Sequence, residues 1–228
     1  MTTDNLTFVG NRAATATVVP HRQLHPTSST AKRVLDVAIA SAALVVLLPV
    51  LLVIALAIFI TSPGRVSFRQ TRIGLNGDGF QIFKFRTMVR DAERRLVTDA
   101  KLREIYLAND HKVPAHLDTR VTRLGRFLRK TSLDELPQLV NVIKGQMSLV
   151  GPRPVVPSEL FRYGRYSSLY QSVRPGVTGL WQASGRSTLR YDERVKLDAD
   201  YVQNWSFSRD LKIILKTIPA VLRSHGAH

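Results

Sequence analysis

Residues 37–60, VAIASAALVVLLPVLLVIALAIFI, contain no charged side chain. As a helix at ~1.5 Å per residue, such a run crosses a hydrocarbon layer of ~30 Å. A soluble core helix of that length normally carries polar positions on one side, and this run has no charged residue and only Ser41 as a polar one. Pro49 stands in its middle, where proline removes a backbone hydrogen bond and kinks a helix. Lys32 and Arg33 precede the run, and Arg65, Arg69 and Arg72 follow it. Basic flanks prefer the cytoplasmic side of a membrane. A straight span puts one of these flanks on the wrong side, whereas a helix broken at Pro49 that enters and leaves one leaflet satisfies both. The expectation is a re-entrant membrane helix over 31–61, a polar disordered tail over 1–30, and a cytoplasmic domain over 62–228. The apolar run begins too late for a secretory signal.

The 228 residues include no cysteine, which excludes a disulfide scaffold, a thiol nucleophile and a Cys-ligated metal site. Lys and Arg number 33 against 17 Asp and Glu, a net charge of +16, of which residues 62–228 carry +14. Such a balance implies an anionic partner: nucleic acid, phosphorylated substrate or acidic lipid.

The domain reads as α+β and predominantly helical. A β-hairpin is expected over 65–87 with Asn76-Gly77 in its turn. In its second strand Lys84 and Arg86 share a face. They grip a phosphate or protect an edge strand by charge; the pattern leaves both open. A charged helix is expected over 89–108. His111 and His116 flank Pro114 in a loop with no third ligand spaced for a metal. From Thr119 a helix is expected whose Val121, Leu124 and Leu128 form an apolar stripe. Arg120, Arg123, Arg126 and Arg129 would line its surface, solvated or facing anions and lipid headgroups. Ser132 and Glu135 fit a capping box, and Pro137 belongs in a first helical turn. Asp134 and Glu135 then lie at the positive end of a helix dipole, pointing ~100° apart. Simple N-capping explains most such acids, but these two follow a row of arginines. Pro152 and Pro154 freeze the backbone around Arg153, a frame that can aim a guanidinium at phosphate. Residues 174–182, followed by Gly185 and Arg186, read as a shaped loop. Residues 210–223 are amphipathic and suit a bilayer surface as well as a core.

Taken together, residues 32–222 resemble the bacterial sugar transferases that act as polyprenyl-phosphate hexose-1-phosphate transferases. The likeness is greatest to the short, succinoglycan-type galactosyl-phosphate transferases of exopolysaccharide synthesis. The matching blocks are KRVLDV, the Pro49-broken apolar segment, FRQTRIGLNGDGFQIFKFRTM, RLGRFLRKTSLDELPQLVNVIKGQMSLVGPRPVV, RPGVTGLWQASGR and YVQNWS…DLKIILKTIPAVL. They stand in the right order with no departure at the key positions; the multi-span N-terminal region of longer relatives is missing.

The resemblance implies a UDP-hexose, galactose before glucose, bound with Mg²⁺ at the cytoplasmic face of the inner membrane. Asp134, a metal contact, attacks the sugar-bearing phosphate. UMP leaves, and polyprenyl (undecaprenyl) phosphate takes the phosphosugar from the carboxylate. Covalent catalysis by an aspartate divides one phosphoryl transfer into two. Glu135 assists in positioning or as a second acid. Arg129, Arg153, Lys84 and Arg86 match phosphate-binding positions. The expected partners are UDP-hexose, polyprenyl phosphate and inner-membrane lipids, with a homodimer left open. Nucleic acid is not among them, because no stacking platform or helix–turn–helix pattern occurs. A non-catalytic scaffold or anion-binding subunit of a polysaccharide assembly is the alternative that the intact acids argue against.

Overall fold

The computed structural model describes residues 29–109, 113–114, 116–184 and 189–222, so His111, Gly185 and Arg186 and the tail 1–28 lie outside the described residues. The chain is mostly helical. Helix α1 runs from Thr30 to Thr61, unbroken through Pro49, and Ser29 caps it by accepting the Lys32 amide at 3.3 Å. Among the described residues it is the one helix long and apolar enough to cross a membrane. One face of it is bare, with Val45, Val46 and Val53 74%, 75% and 67% exposed, while Ala43, Leu44, Leu47 and Leu51 on the other pack against the core.

Both ends of α1 dock on the rest of the chain. At its start Lys32 donates to Asp210 Oδ2 at 2.5 Å, and Asp36 accepts from Ser148 Oγ at 2.7 Å and from the Leu149 amide at 3.2 Å. Arg33 donates to the carbonyls of Val142 and Ile143. At its end Ile54 and Ile58 pack with Phe85 and Leu128, and Arg86 donates to the Ser62 carbonyl.

The expected hairpin is present. Strands β1 (Ser67–Ile73) and β2 (Gly79–Phe85) pair antiparallel, with Ser67 opposite Phe85 and Ile73 opposite Gly79. The turn between them is a 3₁₀ segment, Leu75–Gly77, with Asn76 and Gly77 at positive φ. Phe80 and Ile82 of β2 pack with Ala40 of α1 and with Leu139 and Val142 of α5 (Gln138–Ile143). A second sheet is not expected from the sequence: β3 (Ser148–Val150) and β4 (Gly176–Thr178) form a parallel pair. A Cβ on Gly176 would collide with the Gly151 backbone, so the two glycines allow this approach.

Three expectations are corrected. The helix over 89–108 is two helices, α2 (Ala92–Thr98) and α3 (Ala100–Ala108), because the Asp99 side chain caps the second by accepting the Leu102 amide. The arginine row does not exist as a helix face. Helix α4 spans Arg123–Lys130 behind the cap Thr122, and Arg120 lies before it, buried and paired with Asp118 through two bonds of 2.8 and 2.9 Å. Arg123 and Arg126 are exposed, whereas Arg129 turns inward. The capping box of Ser132 and Glu135 is not formed. Ser132 adopts φ 57° and makes no side-chain cap, and Glu135 bonds to Lys84 instead. A full cation outcompetes a backbone amide for a carboxylate.

The chain continues through the 3₁₀ segment Pro157–Tyr166, α6 (Ser167–Gln171), α7 (Leu180–Ser184), α8 (Tyr191–Gln203) and α9 (Phe207–Leu222). In α9 the deeply buried apolar position is Ile213, while Leu211 and Leu215 of the amphipathic pattern are each 58% exposed.

Candidate functional site

The site assembles where α4 ends. Gly125 of α4 lies against the Thr87 carbonyl so closely that a Cβ there would collide with it. That contact brings Arg129 to Thr87, whose Oγ1 accepts from the guanidinium at 2.9 Å. The left-handed Ser132 then reverses the chain into the 3₁₀ turn Leu133–Glu135. Such a conformation costs a non-glycine residue about 1–2 kcal/mol and persists where its surroundings enforce it. The result is two adjacent carboxyl groups facing β2.

Asn141 of α5 holds β2 in place. Fully buried, it accepts from the Phe83 amide at 2.9 Å and donates to the Gln81 carbonyl at 2.7 Å. Lys84 thereby meets Glu135 Oε1 at 2.6 Å. Burial opposes ionisation of Glu135, but Lys84, Arg153 and Arg72 outweigh it and hold this carboxyl below its usual range. Asp134 goes the other way. It is 8% exposed, and burial followed by the charge of Glu135 pushes it up to about 6, against the pull of Lys84 and Arg129. Two neighbouring carboxyls thus differ by environment, one favoured as the anion by its cations and one raised toward neutrality by burial.

Arg153 sits between Pro152 and Pro154 in a loop fastened to β4, with the Gly176 amide donating to the Pro152 carbonyl at 2.8 Å. Its guanidinium lies 5.8 Å from the Trp181 ring centroid, and that of Arg194 lies 4.9 Å from the same ring. Arg72 belongs to this cluster, a role its place in the sequence does not signal. It donates to the Pro154 carbonyl at 3.0 Å, and burial, then the charge of Arg153, lower it to about 10. Its neighbours in the strand, Thr71 and Ile73, carry no charge, so only the fold reveals its convergence with Arg153. Arg86 stands apart: it reaches the end of α1 at Ser62 and not the carboxylates. His116 is exposed in its loop.

Under this loop lies Asp198, 2% exposed. It accepts from the Tyr163 hydroxyl at 2.8 Å, while its Oδ1 is buried without a partner among the described residues, and burial pushes it up to about 8. A carboxyl raised in the folded state stabilises most below its unfolded value near 4, and that contribution is lost as pH rises through about 8. The margin of wild type over Asp198→Asn therefore shrinks between pH 5 and 8 by at most roughly 1.4 kcal/mol per unit. Denaturant titrations of both proteins across that range measure it, and a constant margin refutes the assignment.

The donors for a metal are few. Among the described residues no three His, Asp or Glu side chains group to hold one. Asp134, with Glu135 tied to Lys84, offers one or two carboxylates. That set fits Mg²⁺, which takes most of its ligands from water and substrate phosphates.

A sequence profile of the bacterial sugar transferase family matches residues 27–224. The chain is 43% identical over 225 residues to the exopolysaccharide production protein ExoY of Sinorhizobium fredii, covering 95% of this chain and 97% of that one. It is 44% identical over 206 residues to a UDP-glucose:undecaprenyl-phosphate glucose-1-phosphate transferase of Caulobacter vibrioides, 86% of this chain and 72% of that protein. With an undecaprenyl-phosphate galactose phosphotransferase of Salmonella typhimurium it shares 45% identity over 168 residues, 72% of this chain and 35% of that protein. Paired carboxyls of opposite tuning among converging cations, a long apolar helix, and a family profile that matches residues 27–224 lead to one conclusion: the protein belongs to the bacterial sugar transferase family.

Proposed function

We propose that the protein moves a hexose 1-phosphate from a UDP-hexose to undecaprenyl phosphate through a phosphosugar on Asp134, as the first step of exopolysaccharide synthesis. The observation that carries this reading is the division of labour between the two carboxyls. Glu135 is pinned and charged by Lys84, while Asp134, beside Arg129, makes no ion pair within 4.0 Å among the described residues and can present an oxygen to phosphorus.

In the first step an Asp134 oxygen bonds to the sugar-bearing phosphorus as its bond to the bridging oxygen breaks, and that electron pair leaves with UMP. In the second, an oxygen of the lipid phosphate bonds to the same phosphorus and the carboxylate is freed. Arg129 and Arg153 neutralise charge on the transferring and leaving phosphates, and Lys84 holds Glu135 so that the two acids do not exchange roles. Asp134 would hold Mg²⁺, which would supply Lewis-acid neutralisation of the phosphate charge.

The apolar α1 makes the protein membrane-associated. That both of its ends dock on the catalytic part, while one face stays bare along its length, supports a segment that enters and leaves one leaflet of the inner membrane from the cytoplasmic side, where nucleotide sugars are found. The relatives' names support UDP-sugar and lipid carrier as substrates, with both galactose and glucose represented. The test is full-length protein with radiolabelled UDP-galactose or UDP-glucose, Mg²⁺ and undecaprenyl phosphate. The expected result is label in the lipid phase with one UMP per transfer, galactose being the better donor. Release of UDP in place of UMP would overturn the phosphosugar mechanism.

A further inference from the structure

Between α7 and α9 lies a cavity of about 350 Å³ that the transfer chemistry does not use. Leu180 and Ala183 of α7 and Ile213 of α9 line it with apolar surface, and Arg209, Lys212 and Lys216 supply its charge. It is separate from the arginine cluster above. Leu180 and Ala183, three positions apart, share one side of α7, whereas Trp181 points at Arg153 and Arg194.

The charges are not equivalent. Arg209 is tied down by the Asp200 carboxylate and by the Asp200 and Asn204 carbonyls. Lys212 and Lys216 form no ion pair among the described residues, and like charges one turn apart repel unless an anion lies between them. Beside this basic stripe runs a bare apolar one: Phe207, Leu211 and Leu215 are 45%, 58% and 58% exposed. Trp205 and Phe207, with ring centroids 4.9 Å apart, mark the start of α9 with the aromatic pairing that suits a membrane interface. The 2.5 Å contact of Lys32 with Asp210 fixes this first turn at the start of the long apolar helix α1.

We propose that this cavity seats the phosphate of an anionic phospholipid from the surrounding bilayer. Lys212 and Lys216 hold the phosphate, and the exposed stripe of α9 lies along the acyl chains. The site orients α9 on the membrane and is independent of the transfer reaction, so its test needs no activity.

Full-length protein in detergent is titrated with phosphatidylglycerol or phosphatidylcholine, and bound lipid is counted by native mass spectrometry. Wild type should retain phosphatidylglycerol roughly tenfold better than phosphatidylcholine. Lys212→Gln/Lys216→Gln should lose that preference, and Lys212→Arg/Lys216→Arg should keep it. Ala183→Glu, which fills the cavity and leaves both lysines in place, should lose it as well, and carries the test if the glutamine variant misfolds. Equal retention of the two lipids by wild type, or an unchanged preference in both the double glutamine variant and Ala183→Glu, overturns the proposal. Displacement of phosphatidylglycerol by equimolar inorganic phosphate or undecaprenyl phosphate overturns it too, since either would make the cavity a site for a different ligand.

Discussion

Asp134→Asn abolishes transfer of phosphosugar to lipid and leaves the fold intact. Asparagine is nearly isosteric and removes the one oxygen nucleophile of the buried pair, so no covalent intermediate can form; the expected loss is roughly a thousandfold or more. A second readout separates chemistry from binding. Wild type incubated with labelled UDP-hexose and no lipid acceptor should carry label on the protein, stable to denaturation, and the asparagine variant should carry none. Because Asp134 in the metal-free protein is raised to about 6 by burial and by Glu135, kcat/KM at subsaturating Mg²⁺ should fall as pH drops through that value, well above the range in which an ordinary aspartate is protonated. Full activity in Asp134→Asn would sink the nucleophile assignment.

Lys32→Ala should destabilise the protein by about 3–5 kcal/mol. Lys32 is 4% exposed and stands between two buried carboxylates, 2.5 Å from Asp210 and 3.9 Å from Asp36. Asp210 also accepts from the Tyr201 hydroxyl at 2.7 Å and from the Trp205 indole at 3.1 Å. Removing the cation leaves two carboxylates out of water with nothing to balance them. Thermal melts in detergent measure the effect. A double variant, Lys32→Met/Asp210→Asn, should recover much of the loss, because it deletes one charge of each sign and keeps an acceptor for Tyr201. If Lys32→Ala melts like wild type, the ion pair is not holding α1.

What could be read from residues alone follows how local each cause is. The uncharged run of α1 and the Asn76-Gly77 turn act through neighbours in sequence, and the helix and hairpin stand where they were expected. Glu135 is different: as a capping residue it needed only Ser132, but its actual partner, Lys84, lies 51 residues away. Arg120 looked like one of four spaced cations until Asp118 claimed it from outside the helix. Arg72 joins the site because β1 carries it to the Pro154 carbonyl, 82 residues on. β3 and β4, three residues each and shaped around Gly151 and Gly176, have too little side-chain pattern to betray a sheet. The acids themselves were legible as a pair, yet their opposite tuning rests on burial and on three cations that the fold gathers.

The contact between Lys32 and Asp210 also orders events during synthesis. The two residues are 178 positions apart, so the lysine emerges from the ribosome long before its partner exists. Asp36 gains its partners when β3 is made, but until α9 follows the foot of α1 lacks Asp210, and long-range pairings of this kind form late. The start of the apolar helix therefore waits on the C-terminus of the chain, and closure of α9 upon it is the step that completes the fold of the enzyme.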